Sequence, residues 1–75
     1  MRNVLPPQIQ EWPTDERYRW MAQDLDGVWF TFASKPEIGV DEWCSNGPGG
    51  SLQLTAGRPN PNWRNTLISR DLEQH

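Results

Sequence analysis

The stretch MAQDLDGVWFTF, Met21 to Phe32, decides how this chain folds. Two aspartates flank a leucine, a glycine follows, and apolar residues alternate away on both sides. Before the corner, Tyr18, Trp20 and Ala22 share one face of an extended segment, and Arg19, Met21 and Gln23 share the other. After it, Val28, Phe30 and Phe32 alternate with Trp29, Thr31 and Ala33, the period-two pattern of a strand. Two hairpin registers compete. A two-residue turn on Asp26-Gly27 pairs Leu25 with Val28 and leaves two mixed faces. A type I turn over Asp24–Gly27, with Gly27 left-handed as a bulge, pairs Ala22 with Phe30, Trp20 with Phe32 and Gln23 with Trp29. The second register gathers the smooth apolar positions on one side. Asp at the first turn position and Gly at the fourth also fit type I chemistry. The bulged hairpin is therefore the expected one.

Outward from the hairpin the chain divides simply. Residues 1–17 read as an extended arm, because Pro6, Pro7 and Pro13 exclude a continuous helix; Trp12 is its one residue expected to dock on the body. Residues 18–70 form a single small β-rich domain, and 71–75 a flexible tail. Pro36 ends the second strand, and Asn46-Gly-Pro-Gly-Gly50 marks a turn within a long connection. Ile38, Val40 and Trp43 in that connection are expected to tuck under the sheet. SLQLTA, 51–56, is a third strand with Leu52, Leu54 and Ala56 inward. In the C-terminal stretch 60–75, Asn62 offers an N-cap, and Trp63 with Leu67 and Ile68 with Leu72 stand at i,i+4 spacing, which predicts a short helix. The expected class is α+β, mainly β: a three- to four-stranded antiparallel meander with one short C-terminal helix.

The whole-chain numbers bound function more by exclusion than by signature. Hydrophobic residues are 35% of 75 positions and mean hydropathy is −0.84, values that lean toward disorder. Five Trp, two Phe and one Tyr offset this, since each aromatic buries roughly 150–250 Å². Trp20, Trp43 and Trp63 are the core candidates. Cys44 is the single cysteine, so no internal disulfide forms, which suits a reducing cytoplasm. MRNVLPPQIQ lacks the apolar core of a signal peptide, and no apolar run reaches membrane-spanning length. The net charge of −3, with bases scattered from Arg2 to Arg70, argues against direct nucleic-acid capture.

The chemical motifs fail one by one. Aligned on Gly27, a calcium loop would place Ala22 and Ala33 at its first and last ligand positions, so both oxygen donors are missing. One Cys and one His cannot complete a zinc site. Asn46–Gly50 is not followed by the residues of a phosphate cradle. Cys44 reads as a small, partly buried thiol, and Asp41-Glu42 as part of a solvated loop. No metal, cofactor or catalytic group is expected. Trp29 lies on the hairpin face opposite Phe30 and Phe32, beside Met21 and Gln23. It is either covered by the arm or exposed as a contact or stacking surface.

Two resemblances bear on function. Trp12, the Gly27-Val-Trp-Phe30 strand and Trp43 resemble a WW domain, a binder of Pro-rich peptides. Trp43 lacks that family's following Pro, and this chain adds a further alternating strand. Trp20, Ala22, Asp24, Asp26, Gly27, Trp29, Lys35-Pro36, Trp43, Pro61, Trp63, Leu67 and Arg70 together resemble a loose group of short bacteriophage proteins. That resemblance implies a phage origin more than an activity. Small size, an aromatic core, an acidic surface, the cysteine pattern and the lack of a catalytic constellation make the expectation a non-catalytic accessory protein in the host cytoplasm, of anti-CRISPR or other anti-defence type. Its partner would be a bacterial host protein or complex, met by Trp29, Met21 and Arg19 on the outer face and by Asp41 and Glu42 in the long loop. A nucleotide-sequestering binder stacking on Trp29 or Trp43 is the alternative, and a minor virion component a third reading. The sheet edges leave homo-oligomers open.

Overall fold

The computed structural model describes residues 12–70. Most of the expected arm and all of the expected tail lie outside the described residues. What is described of the arm is not extended throughout: Tyr18 N donates to Asp15 O (3.3 Å), and Asp15 also accepts from Arg17 N (3.0 Å), an aspartate-led turn. Trp12 does dock. It is half-buried with the Arg70 guanidinium 5.3 Å from its ring centroid.

Six strands follow: β1 (Trp20–Gln23), β2 (Val28–Phe32), β3 (Glu37–Ile38), β4 (Trp43–Cys44), β5 (Ser51–Ala56) and β6 (Ile68–Ser69). They form an antiparallel four-stranded sheet in the order β5-β2-β1-β6 and a two-stranded ribbon of β3 and β4. The β1–β2 hairpin adopts the bulged register. Trp20 faces Phe32, Ala22 faces Phe30 and Gln23 faces Trp29. Gly27 N donates to Asp24 O (2.9 Å), closing the type I turn, and Gly27 takes φ +96°.

One face of the hairpin carries the main core. Ala22, Phe32, Trp43 and Trp63 cluster there, with Trp20, Phe30 and Leu67 packed against them. Trp43 and Trp63 meet edge to face at 88° and 6.1 Å, a geometry worth roughly 0.5–1.5 kcal/mol beyond the area it buries. Trp20 is half-buried and carries Lys35 Nζ 5.6 Å from its ring centroid. Of the three core candidates, Trp43 and Trp63 are buried and Trp20 is half-buried.

Three expectations need correction. Trp43 is buried, but Ile38 is exposed and Val40 is 89% exposed. The β3–β4 ribbon closes tightly, with Gly39 N donating to Glu42 O (2.8 Å), and this leaves Val40 in its tip. The same alternation turns Cys44 outward where Trp43 turns in, so the thiol is exposed. β5 is mostly solvent-facing. Its pairing shifts by one residue between Val28↔Ala56 and Phe30↔Gln53, which puts Gln53 rather than a leucine beside Phe30. Leu54 alone is half-buried.

Among the described residues, the expected C-terminal helix is replaced by a single 3-10 turn, Trp63–Asn65, followed by β6, while Leu72 of the expected Ile68–Leu72 pair lies outside them. Asn62 makes no side-chain cap. Thr66 ends the turn instead: its Oγ1 lies 2.7 Å from Trp63 O, the acceptor for its proton, and accepts from Gln23 N at 2.9 Å. That bond ties the chain to β1 and steers it into a strand. Trp63 and Leu67 still reach the core, as their spacing implied.

Candidate functional site

The Asp24–Gly27 corner is where the loops of the domain converge. Leu25 N donates to Asp41 O (3.3 Å), and Leu25 O accepts from Asn60 N (3.0 Å). Gly27 O accepts from Gly57 N and from Gln23 Nε2, at 2.6 and 3.0 Å. Asp26 Oδ1 caps the turn by accepting from Val28 N (3.1 Å). Asp24 Oδ1 accepts from Trp43 N (2.8 Å), so one carboxylate oxygen holds the ribbon against the hairpin. Trp43 Nε1 donates to Gln23 O (3.1 Å) and Trp63 O (3.3 Å), which fixes the indole beneath the corner.

Gln23 extends this network. Its Nε2 also donates to Arg58 O (3.2 Å), and its Oε1 accepts from Asn60 Nδ2 (2.9 Å). A buried amide with its groups satisfied specifies a geometry at little net cost, whereas an unsatisfied one would destabilise. The result is a strap, residues 57–60, held across the end of the hairpin.

A hollow opens on each side of Pro59-Asn60. The first, of about 460 Å³, is lined by Asp24, Leu25, Asp26, Asp41, Glu42, Pro59, Asn60 and Pro61. Four carboxylates therefore share one concavity. Asp24 is buried, and burial raises its pKa above the ordinary carboxylate value. The hydrogen bond from Trp43 opposes that rise, while the negative charges of Asp26, Glu42 and Asp41 add to it. A positive charge placed in this hollow would relieve both penalties. Among the described residues, no group of three or more His, Cys, Asp or Glu side chains is arranged to hold a metal ion. The second hollow, of about 540 Å³, is lined by Gln23, Trp29, Gly57, Arg58, Pro59, Asn60 and Thr66.

Against this geometry the residues expected to meet a partner separate. Asp41 and Glu42 are exposed and are brought together with Asp24 and Asp26. Arg19 is exposed at the opposite end of β1, where its backbone bonds Phe32 O and Arg70 N, and it lines neither hollow. Trp29 and Met21 correct the expectation of an outward-looking face: they are 5% and 2% exposed. Thr31, between them on the sheet, is fully buried. Both faces of the hairpin are therefore covered, and a base cannot stack on the faces of Trp29 or Trp43 without opening the fold.

Asp24, Asp26, Arg58, Pro59 and Asn60 belong to the site but were not among the expected partner residues. Their signal in the sequence was weak. The two aspartates served as turn formers, and nothing local says that 41–42 and 59–61 fold onto the same corner. No family model matches the chain, and no similar curated protein or solved structure was found.

Proposed function

We propose that this domain is a non-catalytic binding module whose acidic hollow receives a Lys or Arg side chain of a protein partner. The observation that carries the reading is the convergence of Asp24, Asp26, Asp41 and Glu42 on one concave surface beside a rigid corner. A guanidinium or ammonium group entering there gains charge-assisted hydrogen bonds in a partly desolvated setting. Preorganisation by the loop bonds at Leu25 spares the ordering cost that a mobile loop would incur. If the resemblance to bacteriophage proteins marks a phage origin, that partner is a bacterial host protein or defence complex, inhibited by occlusion.

The test compares wild type with an Asp41→Asn, Glu42→Gln double variant. Both positions are exposed, so folded stability should change by no more than about 0.5 kcal/mol. Titration with an acetylated Gly-Arg-Gly amide should perturb the backbone resonances of 24–26, 41–42 and 59–61, and a Gly-Gln-Gly control should not. The double variant should lose most of the response, and added salt should weaken it in wild type. Equal responses to both peptides, or an undiminished response in the double variant, would refute the reading.

A further inference from the structure

The second hollow is lined by Trp29, a buried residue whose indole donor finds no acceptor among the described residues. Trp29 is 5% exposed, and its indole Nε1–H makes no hydrogen bond among the described residues. An indole N–H is a donor only, and buried tryptophans usually find an acceptor for it. Leaving such a group unsatisfied is unfavourable. Trp29 lines the hollow, and its Nε1 stands beside Gly57. A Cβ built on Gly57 would stand 3.4 Å from Trp29 Nε1, and Gly57 itself lines the hollow.

The other groups around it define what would fit. Gln23, Asn60 and Thr66 already spend hydrogen bonds on one another and on the backbone. Arg58 lines the hollow, is exposed, and forms no ion pair among the described residues. Trp29, Gly57 and Pro59 supply apolar wall. An unused neutral donor, an unused cation and an apolar wall suit a negatively charged acceptor on an apolar body.

We propose that this hollow binds a small carboxylic acid: one carboxylate oxygen accepts from Trp29 Nε1–H, Arg58 balances the charge, and the apolar body rests against Pro59. The site does not depend on the acidic hollow across the strap, which has the opposite charge preference. A side chain at 57 would crowd the indole and its neighbours, since its Cβ would stand 3.1 Å from Gln23 Nε2, 3.2 Å from Gly27 O and 3.4 Å from Trp29 Nε1.

Benzoate is the probe, with benzyl alcohol as an uncharged molecule of similar shape. The five indole N–H signals are assigned by triple-resonance NMR on the full chain. Benzoate should move the Trp29 indole signal saturably at millimolar concentration, and benzyl alcohol should not. Arg58→Gln, at an exposed position, should weaken benzoate roughly tenfold, the scale of losing one charge-assisted contact. Gly57→Ala should abolish the shift while the thermal transition persists. The Asp41→Asn, Glu42→Gln variant should bind benzoate as wild type does, so failure of the acidic-hollow reading leaves this one standing. An unmoved Trp29 signal, an equal response to benzyl alcohol, or undiminished binding by Arg58→Gln would overturn the assignment.

Discussion

Replacing Gly27 with alanine tests the corner on which the whole site depends. Two separate penalties apply. Gly27 sits at φ +96°, where an L-residue costs about 1–2 kcal/mol. Its new Cβ would also stand 2.4 Å from Gly57 O and 2.6 Å from both Arg58 C and Arg58 O. Those are backbone atoms of the strap, so no side chain can swing away, and the strap itself must shift. Overpacking of this kind adds about 1–3 kcal/mol, for a total near 3–4 kcal/mol. A 75-residue chain at typical per-residue stability has only about 4–11 kcal/mol to lose. Gly50 provides the control: its φ is +70°, and a Cβ there meets nothing within 4 Å. Gly50→Ala should therefore show the conformational cost alone, about 1 kcal/mol, or roughly 4–8 °C in Tm. Gly27→Ala should lower Tm by about 12 °C or more. Urea titration of the two variants, checked for an unchanged m value, reads the difference directly. If both variants lose the same stability, the steric share is absent, and the strap does not lie against the corner as described.

The pH dependence of Asp24 runs opposite to that of a salt-bridged aspartate. Its folded pKa is raised, so the native state holds the proton more tightly than the unfolded chain, and stability falls as pH climbs from 3.8 through the folded value. Asp24→Asn, which keeps an oxygen to accept from Trp43 N, should melt higher than wild type at pH 7 and match it near pH 3 in calorimetry; a lower Tm at pH 7 would contradict the assigned penalty. Thr66→Val should cost about 1–3 kcal/mol by stranding the Gln23 N–H, while Thr66→Ser should keep most of the stability. Equal denaturation midpoints for the two Thr66 variants would show that the hydroxyl is not what joins this turn to β1.

The hairpin was legible because its information is local. Asp24, Gly27 and the alternating aromatics state both turn type and register within twelve residues, and the observed pairing is the one they imply. The third strand was legible as a strand, but its facing was not, because a one-residue shift against β2 reverses which side Leu52 takes. The stretch after Asn62 misled for a related reason. Trp63 and Leu67 reach the same core whether a helix or a turn carries them, so i,i+4 spacing could not separate the two. Thr66 decided the outcome through a partner 43 positions away. The site itself was half visible. Asp41 and Glu42 were candidates, yet the hollow exists only because Asn60 and Asp41 both bond Leu25. Trp29, read as either covered or exposed and carried as a contact residue, is buried.

β1 lies between β2 and β6, one neighbour close in sequence and one far. Its first neighbour is the next strand in the chain, so the hairpin can form as soon as Phe32 clears the ribosome. Its second neighbour is Ile68–Ser69, and Arg70 N closes onto Arg19 O at 2.8 Å. Closing a loop of that length is slow relative to hairpin formation. Until it happens, the nascent chain exposes the open edge of its central strand to whatever extended peptide is nearby. A partner strand pairing with β1 at that stage would compete with β6.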